Sequence, residues 1–414
     1  MHAISWGCRL YFLVPFILVL GLQFLHWRLL IQVFPDRFHR WIPWCLLVIH
    51  LPLLVYMGYR LTGNTVGSLG SALRPLARGA LYFQFLTLVN LFFWGLAVGV
   101  WRFRRWLGHT FDKGPQDPSR RAFLRKSAAG GVGILVATGT VGAEQAYGDP
   151  EITRTALWFA DLPQGLEGVR IVHLTDLHSG PLIGAGLLRR WRLLAEREQP
   201  DLLIITGDLV DSLPGEIEPF VEAFRDFPAH LGRFAILGNH DYFTDPKPIW
   251  QGLERAGFSL LENRHVVLGR GGAEMVVLGL QDPMARNGRF LDLRFGPGPM
   301  PQDVLARLPK GPWRLCLCHR PSNWDLARET GAQLTLSGHT HGGQINLIPG
   351  VSTAKILGPY TSGLYRYQGQ TLYVSRGLGV VGLPMRIGAA PEIAVITLHR
   401  KEIPAMLPAD ALVE

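Results

Sequence analysis

The chain has 414 residues, of which 48% are hydrophobic, and a formal net charge of +9 at pH 7. The positive charge is concentrated in residues 1–150, which hold 15 Lys and Arg against 5 Asp and Glu, whereas the remainder holds 26 against 27. This distribution argues against a basic nucleic-acid surface on the C-terminal part and favours N-terminal loops that flank membrane segments.

Three apolar stretches near the N-terminus have the length of membrane-spanning helices. They comprise residues 10–27, 41–59 and 79–101, and none contains Asp, Glu, Lys or Arg. A helix of about 20 apolar residues crosses a hydrocarbon layer of about 30 Å. The sequence therefore predicts an α-helical transmembrane region in residues 1–110. Three such stretches in close succession disfavour the alternative of a buried helix in a soluble domain.

A fourth apolar segment, residues 127–143, follows a basic sequence. Residues 119–126 pair two arginines with an aromatic residue and a leucine, which resembles a twin-arginine export signal and equally fits the basic flank of an ordinary helix. Residues 102–126 carry eight Lys and Arg against two Asp. The positive-inside rule places this loop in the cytoplasm, so the chain after the fourth segment is predicted to be extracytoplasmic at the cell membrane. Without insertion of that segment it would be cytoplasmic.

From about residue 150 the pattern changes to short β-branched runs separated by helical stretches and by Gly or Pro turns, which is typical of an α/β domain. The predicted strands are 168–174, 200–206, 234–237, 313–318 and 333–337, with closing strands at Val374 and 393–398, and the predicted helices are 187–199 and 216–227. The predicted domains are the transmembrane region 1–110, a connecting segment 111–150, one folded domain 151–402 and a tail 403–414.

Polar clusters follow five of the predicted strands, at the edge where α/β sheets assemble ligand sites. Their metal-binding side chains are Asp176, His178, Asp208, Asn239, His319, His339 and His341. Mixed imidazole and oxygen donors suit Mn, Fe, Zn or Co, and the lack of thiolate argues against a structural zinc cage. Seven groups exceed what one ion needs, so two ions that share Asp208 fit the set. Cys316 and Cys318 are interpreted as core residues on one face of a strand rather than as a metal clip.

The motifs Asp-x-His, Gly-Asp-x-x-Asp, Gly-Asn-His-Asp, His before Pro, and Gly-His-x-His occur in this order and resemble the calcineurin-like metallophosphoesterase superfamily over residues 165–400. The resemblance implies a four-layer α/β sandwich, in which two packed mixed β-sheets lie between helices, and a two-metal site. The implied ligands are Asp176, His178, Asp208 and His341 for one ion, and Asp208, Asn239, His319 and His339 for the other. His240 would be the catalytic histidine, with Asp241 orienting it.

The resemblance predicts a metal-dependent hydrolase of phosphodiester, phosphomonoester or pyrophosphate bonds. Two cations would neutralise the phosphate oxygens and lower the pKa of a water, so that hydroxide attacks without a covalent protein intermediate. His240 would protonate the leaving oxygen or stabilise the phosphoryl charge. Arg376 is a candidate for gripping a phosphate with its planar guanidinium, and a surface salt bridge is the alternative role.

The motifs also resemble a bacterial membrane-associated subgroup of this superfamily, to which the chain adds an N-terminal multi-pass region. The membrane segments predict the lipid bilayer as a partner, and a site tethered close to the bilayer motivates the hypothesis of a lipid-linked substrate. The charge distribution predicts no nucleic-acid partner. Two other functions stay open, a membrane-associated protein phosphatase and a non-catalytic metal-binding sensor. The presence of every motif residue disfavours the sensor. Nothing in the sequence indicates the oligomeric state.

Overall fold

The computed structural model describes residues 137–243, 245–287, 302–346, 348 and 350–401, together with isolated positions between residues 24 and 51. The chain divides into two compact units. One combines residues 1–148 with 381–387, and the other combines residues 149–380 with 388–414. The domain boundaries read from the sequence stay a prediction.

The predicted fold class is wrong in its N-terminal part. Within the portion of the chain that the structure describes, no helix is both long and apolar enough to cross a membrane. The predicted spans 10–27, 41–59 and 79–101 lie almost entirely outside the described residues. Of the fourth segment, only its last part is described. It is part of a helical stretch whose described residues, 137–147, are called α1 and include Glu144.

The second unit contains the strands and the remaining helices that the structure describes. The strands are β1 (Glu151–Phe159), β2 (Arg170–Leu174), β3 (Leu202–Thr206), β4 (Gly232–Ile236), β5 (Ser259–Leu260), β6 (Arg264–Arg270), β7 (Ala273–Gly279), β8 (Trp313–Leu317), β9 (Leu334–Ser337), β10 (Gly363–Tyr367), β11 (Gln370–Val374) and β12 (Glu392–Arg400). The helices are α2 (Ala185–Arg197), α3 (Glu218–Phe224), α4 (Lys247–Arg255), α5 (Met284–Asn287), α6 (Gln302–Arg307) and α7 (Trp324–Glu329).

The strands form two mixed six-stranded sheets, as the resemblance implies for the folded domain. The first has the order β1-β12-β2-β3-β4-β5 and the second β10-β11-β9-β8-β7-β6. In the first sheet β2, β3, β4 and β5 pair in parallel. In the second sheet β7, β8, β9 and β11 do so. Parallel pairing brings the carboxyl ends of these strands to a common edge in each sheet, which is where a ligand site can form.

The main hydrophobic core lies between the two sheets, because one face of each sheet contributes to the same cluster of buried side chains. In β8, Leu315 and Leu317 belong to this core, whereas Cys316 and Cys318 belong to a second cluster that includes Trp324 of α7. The alternation follows from the two-residue period of a strand. Both cysteines are free and buried, which confirms their interpretation as core residues.

Candidate metal centre

The predicted metal ligands lie in loops that directly follow parallel strands. Asp176 and His178 follow β2, and Asp208 follows β3. Asn239 follows β4, and the remaining three ligands follow β8 and β9. All of these side chains are buried except that of His339, which is half-buried. The structure therefore brings donors that are up to 165 residues apart in the chain to one edge of the sandwich.

The donor atoms form three overlapping groups, and within each group they lie within 4.8 Å of one another. The groups are Asp176, His178 and His341; His178, Asp208 and His240; and Asp208, His319 and His339. Asn239 joins the third group, because its Oδ1 atom lies 3.1 Å from Nε2 of His319. All seven predicted ligands and His240 thus lie together, while their individual roles stay predictions.

Asp208 is the residue that links the groups. Its Oδ2 atom lies 3.6 Å from Nε2 of His178 and 3.3 Å from Nε2 of His319. Its Oδ1 atom accepts a hydrogen bond of 2.8 Å from the backbone amide of His240. One oxygen is therefore used to fix the loop after β4, and the other is presented to histidines on both sides.

Five of the predicted ligands adopt a backbone conformation that non-glycine residues rarely take. The φ angles are 53° at Asp176, 47° at His178, 52° at Asp208, 70° at His339 and 50° at His341. Such left-handed residues cost on the order of 1–2 kcal/mol each and cluster at functional sites. The surrounding fold therefore stabilises loops that local preferences disfavour.

Glycines precede three of the ligand positions because the loops pack closely against one another. A Cβ atom on Gly238 would lie 2.5 Å from the backbone nitrogen of Asp208 and closer still to its Oδ1. A Cβ atom on Gly338 would overlap the side chains of Thr175 and Asp176. Contacts under 3.0 Å cannot be accommodated without a shift of the neighbouring loop.

The orientation of His319 provides a test of whether the site suits a cation. Its Nδ1 atom lies 2.7 Å from the carbonyl oxygen of Thr206, so the Nδ1 proton is donated there. In the neutral ring the lone pair of Nε2 then faces the oxygen atoms of Asp208 and Asn239. Three lone pairs converge on this point, which is stable only with positive charge between them. The residues therefore fit a divalent cation.

The pKa shifts of His319 and Asp208 in the metal-free site also indicate that the site suits a cation. Burial alone would lower the pKa of His319, but the Asp208 carboxylate raises it to about 10. Burial would likewise raise the pKa of Asp208, yet the neighbouring His319 holds it well below its usual range. A proton therefore occupies this place in the metal-free protein, and a cation would replace it.

Two other imidazoles of the centre, one in each of the outer donor groups, are neutral. Burial lowers the pKa of His178 to about 3 and lowers that of His339 well below its usual value. The Nε2 atoms of His178 and His341 lie 3.1 Å apart, and Nε2 of His341 lies 3.4 Å from Oδ1 of Asp176. Neutral imidazole is the form that binds a metal, so His178 and His339 need lose no proton when an ion binds.

His240 is oriented by the backbone of the loop after β3. Its Nδ1 atom lies 2.7 Å from the carbonyl oxygen of Asp211 and donates its proton there. The ring also packs against Phe243, with the ring centroids 4.4 Å apart. Nε2 is therefore the ring nitrogen that can exchange a proton with a substrate.

Asp241 has a different role from the one expected. Its carboxylate accepts hydrogen bonds from the backbone amides of Leu209, Val210 and Gly238 instead of orienting the ring of His240. Burial raises the pKa of this carboxyl to about 8, and the charge of Asp208 acts in the same direction. Asp241 is thus a positioning residue that ties the loop after β3 to the loop after β4.

Arg376 lies beside the centre, and two carboxylates engage its guanidinium. Its Nη2 atom lies 2.8 Å from Oε2 of Glu151, and its Nε atom lies 3.3 Å from Oε2 of Glu392. The side-chain stem passes Gly342, where a Cβ atom would lie 2.8 Å from it. This geometry favours the salt-bridge alternative over a phosphate contact.

Sequence reasoning missed a half-buried carboxylate that holds the loop after β4. Oε1 of Glu262 accepts the backbone amide of Leu237 at 2.9 Å, and Oε2 accepts the hydroxyl of Tyr242 at 2.5 Å. Leu237 and Tyr242 flank the segment 238–241. No sequence motif identifies Glu262, because its role depends on contacts between segments that are about 20 residues apart.

This fold and donor set define a metal-binding hydrolase of the α/β class, and comparison with known proteins gives the family. The family model described as calcineurin-like phosphoesterase matches residues 169–343. The metallophosphoesterase YkuE of Bacillus subtilis is 31% identical over 291 residues, which cover 68% of this chain and 97% of that protein. The chain therefore belongs to the calcineurin-like metallophosphoesterase family and is by class a metal-dependent phosphoester hydrolase.

Two further relatives match over smaller shares. A Danio rerio protein named transmembrane protein with metallophosphoesterase domain is 33% identical over 278 residues, which cover 64% of this chain and 61% of that protein. A metallophosphoesterase of Aquifex aeolicus is 29% identical over 243 residues, which cover 58% of this chain and 88% of that protein. The match thus spans less than two thirds of the length of the Danio rerio relative.

Proposed function

We propose that the chain hydrolyses phosphodiester, phosphomonoester or pyrophosphate bonds with two divalent ions bound at the metal centre. The observation that carries the proposal is the place of Asp208, which belongs to two of the three donor groups. One group of ligands would be Asp176, His178, Asp208 and His341, and the other would be Asp208, Asn239, His319 and His339. The donor chemistry suits Mn, Fe, Zn or Co.

Bound ions of this kind neutralise phosphoryl oxygens and lower the pKa of a water toward neutrality. The protein contributes fixed orientations. Donation from Nδ1 of His319 to Thr206 directs Nε2 into the site, and the amide of His240 fixes Asp208. Such outer contacts of metal ligands typically change affinity or activity by roughly 10–100-fold when removed.

His240 completes the proposed chemistry as the proton donor. Because Nδ1 is committed to the carbonyl of Asp211, a proton on Nε2 is directed into the site, where it can pass to the leaving oxygen. The packing of the ring against Phe243 limits its rotation. No covalent bond between protein and phosphorus is required.

Metal removal and one substitution test this function. We expect the purified chain to hydrolyse p-nitrophenyl phosphomonoesters or phosphodiesters, to lose activity on chelation, and to regain it with Mn or Zn. Asp208→Asn should lower kcat/KM by roughly 100-fold or more, because one ligand of each ion is weakened. Asp161→Asn neutralises an exposed carboxylate and serves as the matched control. Activity that survives complete metal removal would contradict the proposal.

Two finer parts of the proposal concern substrate and location. We extend the substrate class to lipid-linked phosphoesters, the hypothesis raised by the sequence. We also place the C-terminal domain on the extracytoplasmic side, which the positive charge of residues 102–126 supports. Activity of a C-terminally fused reporter that functions only in the cytoplasm would contradict this orientation.

A further inference from the structure

A pocket with mostly apolar walls lies beside His339. Its lining includes Pro321, Leu357, Pro359 and Tyr360 next to His339 and Thr340. The pocket has a volume of about 10 Å³, which is room for about one water molecule, so it marks where apolar side chains adjoin a candidate metal ligand and does not itself hold a long chain. The apolar character of these walls therefore bears on which substrates can bind next to His339.

The pocket wall that contains Leu357 belongs to a loop, residues 345–362, of which the structure describes all but residues 347 and 349. This 345–362 loop is fastened to the turn after β9. Oγ of Ser352 donates to the carbonyl of Gly342 at 2.9 Å, and Oγ1 of Thr340 donates to the carbonyl of Thr361 at 2.6 Å. The position of the loop is thus fixed relative to His339 and His341.

The outer side of the 345–362 loop exposes large apolar side chains. The exposed fractions are 63% for Ile348, 47% for Val351, 90% for Ile356 and 42% for Leu357. Ile348 and Val351 face each other across a turn, where the amide of Val351 donates to the carbonyl of Ile348 at 3.0 Å. Several apolar side chains exposed together next to a pocket indicate an interaction surface.

The charge of the 345–362 loop indicates which class of ligand would bind there. The loop contains no Asp or Glu, and its single charged residue is Lys355, next to Ile356. An apolar surface with one positive charge is complementary to an amphiphile that has an anionic head group and a hydrocarbon chain.

We propose that the exposed apolar side chains of the 345–362 loop, next to the pocket beside His339, bind the hydrocarbon chain of the substrate while the metal centre holds its phosphate. This inference rests on the proposed phosphoesterase function and names a surface that selects for amphiphilic phosphoesters. Leu357 connects the two parts, because it lines the pocket and is also exposed on the loop.

The test compares two p-nitrophenyl phosphodiesters that differ only in their second ester group, ethyl or dodecyl. The metal-loaded full chain is assayed with each ester below the concentration at which the dodecyl ester aggregates. We expect kcat/KM for the dodecyl ester to exceed that for the ethyl ester by roughly tenfold or more, since burial of apolar chain is worth at least that factor. The double variant Ile356→Ser, Leu357→Ser should bring this ratio close to one.

Two further variants separate folding from binding. Ile356→Ser alone changes a side chain that is almost fully exposed, so it should fold normally and lower the dodecyl-to-ethyl ratio by about threefold. Val267→Ser removes an exposed apolar residue of β6, at the far edge of the second sheet, and should leave the ratio unchanged. Equal hydrolysis of both esters by the wild type, or an unchanged ratio in both loop variants, would contradict binding of the hydrocarbon chain by this loop. Neither result would contradict the proposed phosphoesterase function. No hydrolysis of either ester would overturn the proposed function itself.

Discussion

At the scale of single residues, the metal centre depends on backbone conformations that the residues themselves disfavour. Asp176, His178, Asp208, His339 and His341 all have φ near +50° to +70°. Each loop is fixed by hydrogen bonds from its neighbours, such as the amide of His339 donating to the Asp176 carboxylate at 2.9 Å. The donors are therefore positioned before an ion binds.

Close packing of these loops predicts the effect of adding one methyl group. Gly238→Ala places a Cβ atom 2.7 Å from Cε1 of His319 and closer to the Asp208 side chain. We expect the affinity for Mn, measured by calorimetry on metal-stripped protein, to fall by roughly 10-fold or more, because the candidate ligands Asp208 and His319 must both move. Gly269→Ala is the control, since a Cβ atom there meets nothing within 4 Å. Equal affinities in the two variants would contradict the prediction.

At the scale of secondary-structure elements, the site is assembled by the carboxyl ends of parallel strands from both sheets. The segment 238–241 follows β4 and carries Asn239 and His240. Glu262 lies just beyond β5, which pairs with β4 in parallel. Its carboxylate fixes both ends of that segment through Leu237 and Tyr242. The residues that follow β5 thus support the loop after β4.

Removal of this support should affect catalysis more than substrate binding. We expect Glu262→Ala to lower kcat by roughly 10–100-fold with a smaller change in KM, because His240 and Asn239 lose their fixed positions. Tyr242→Phe removes only one of the two contacts and should have a smaller effect. Glu262→Gln retains an acceptor for the amide of Leu237 and should recover most of the activity. A purely structural role would lower the melting temperature in Glu262→Ala and leave kcat of the folded fraction unchanged.

At the scale of the whole molecule, buried histidines couple stability to pH. His173 in β2 is fully buried, and its Nε2 atom lies 2.8 Å from the hydroxyl of Thr206. Burial lowers the pKa of His173 from 6.5 to about 4. Between these values the unfolded chain binds a proton that the folded chain does not, so stability falls as the pH drops from about 6.5 to about 4.

The size of this effect can be measured by urea unfolding at a series of pH values. We expect the wild type to lose roughly 2–3 kcal/mol of unfolding free energy to His173 over this range. His173→Gln keeps a polar atom near Thr206 and has no titrating group. The decrease in its unfolding free energy over this pH range should therefore be smaller than that of the wild type by the same amount. Parallel pH profiles for the two proteins would show that His173 does not contribute.

The sequence predicted the helical and strand segments that lead into the metal centre, because buried parallel strands are continuous apolar runs that end in polar motifs. It missed β1, β5, β6, β7 and β10. The hairpin of β6 and β7 turns at Gly271 and Gly272, a signal that was present in the sequence. The predicted helix 216–227 is shorter, since a 3-10 turn at Pro214–Ile217 precedes α3.

The sequence by itself determined the set of candidate ligands, because metal chemistry restricts which side chains can serve. The fixed order of its motifs carried the resemblance to the family, and that resemblance implied the two mixed sheets. It could not decide which contacts those side chains make. Tertiary structure alone showed that Asp241 holds backbone amides, that Arg376 is engaged by Glu392, and that Glu262 supports the loop after β4. These roles depend on segments distant in sequence that meet only after the sheets pack. Apolar stretches near the N-terminus suggested membrane helices, but none of the helices described in the folded chain has the required length and apolarity.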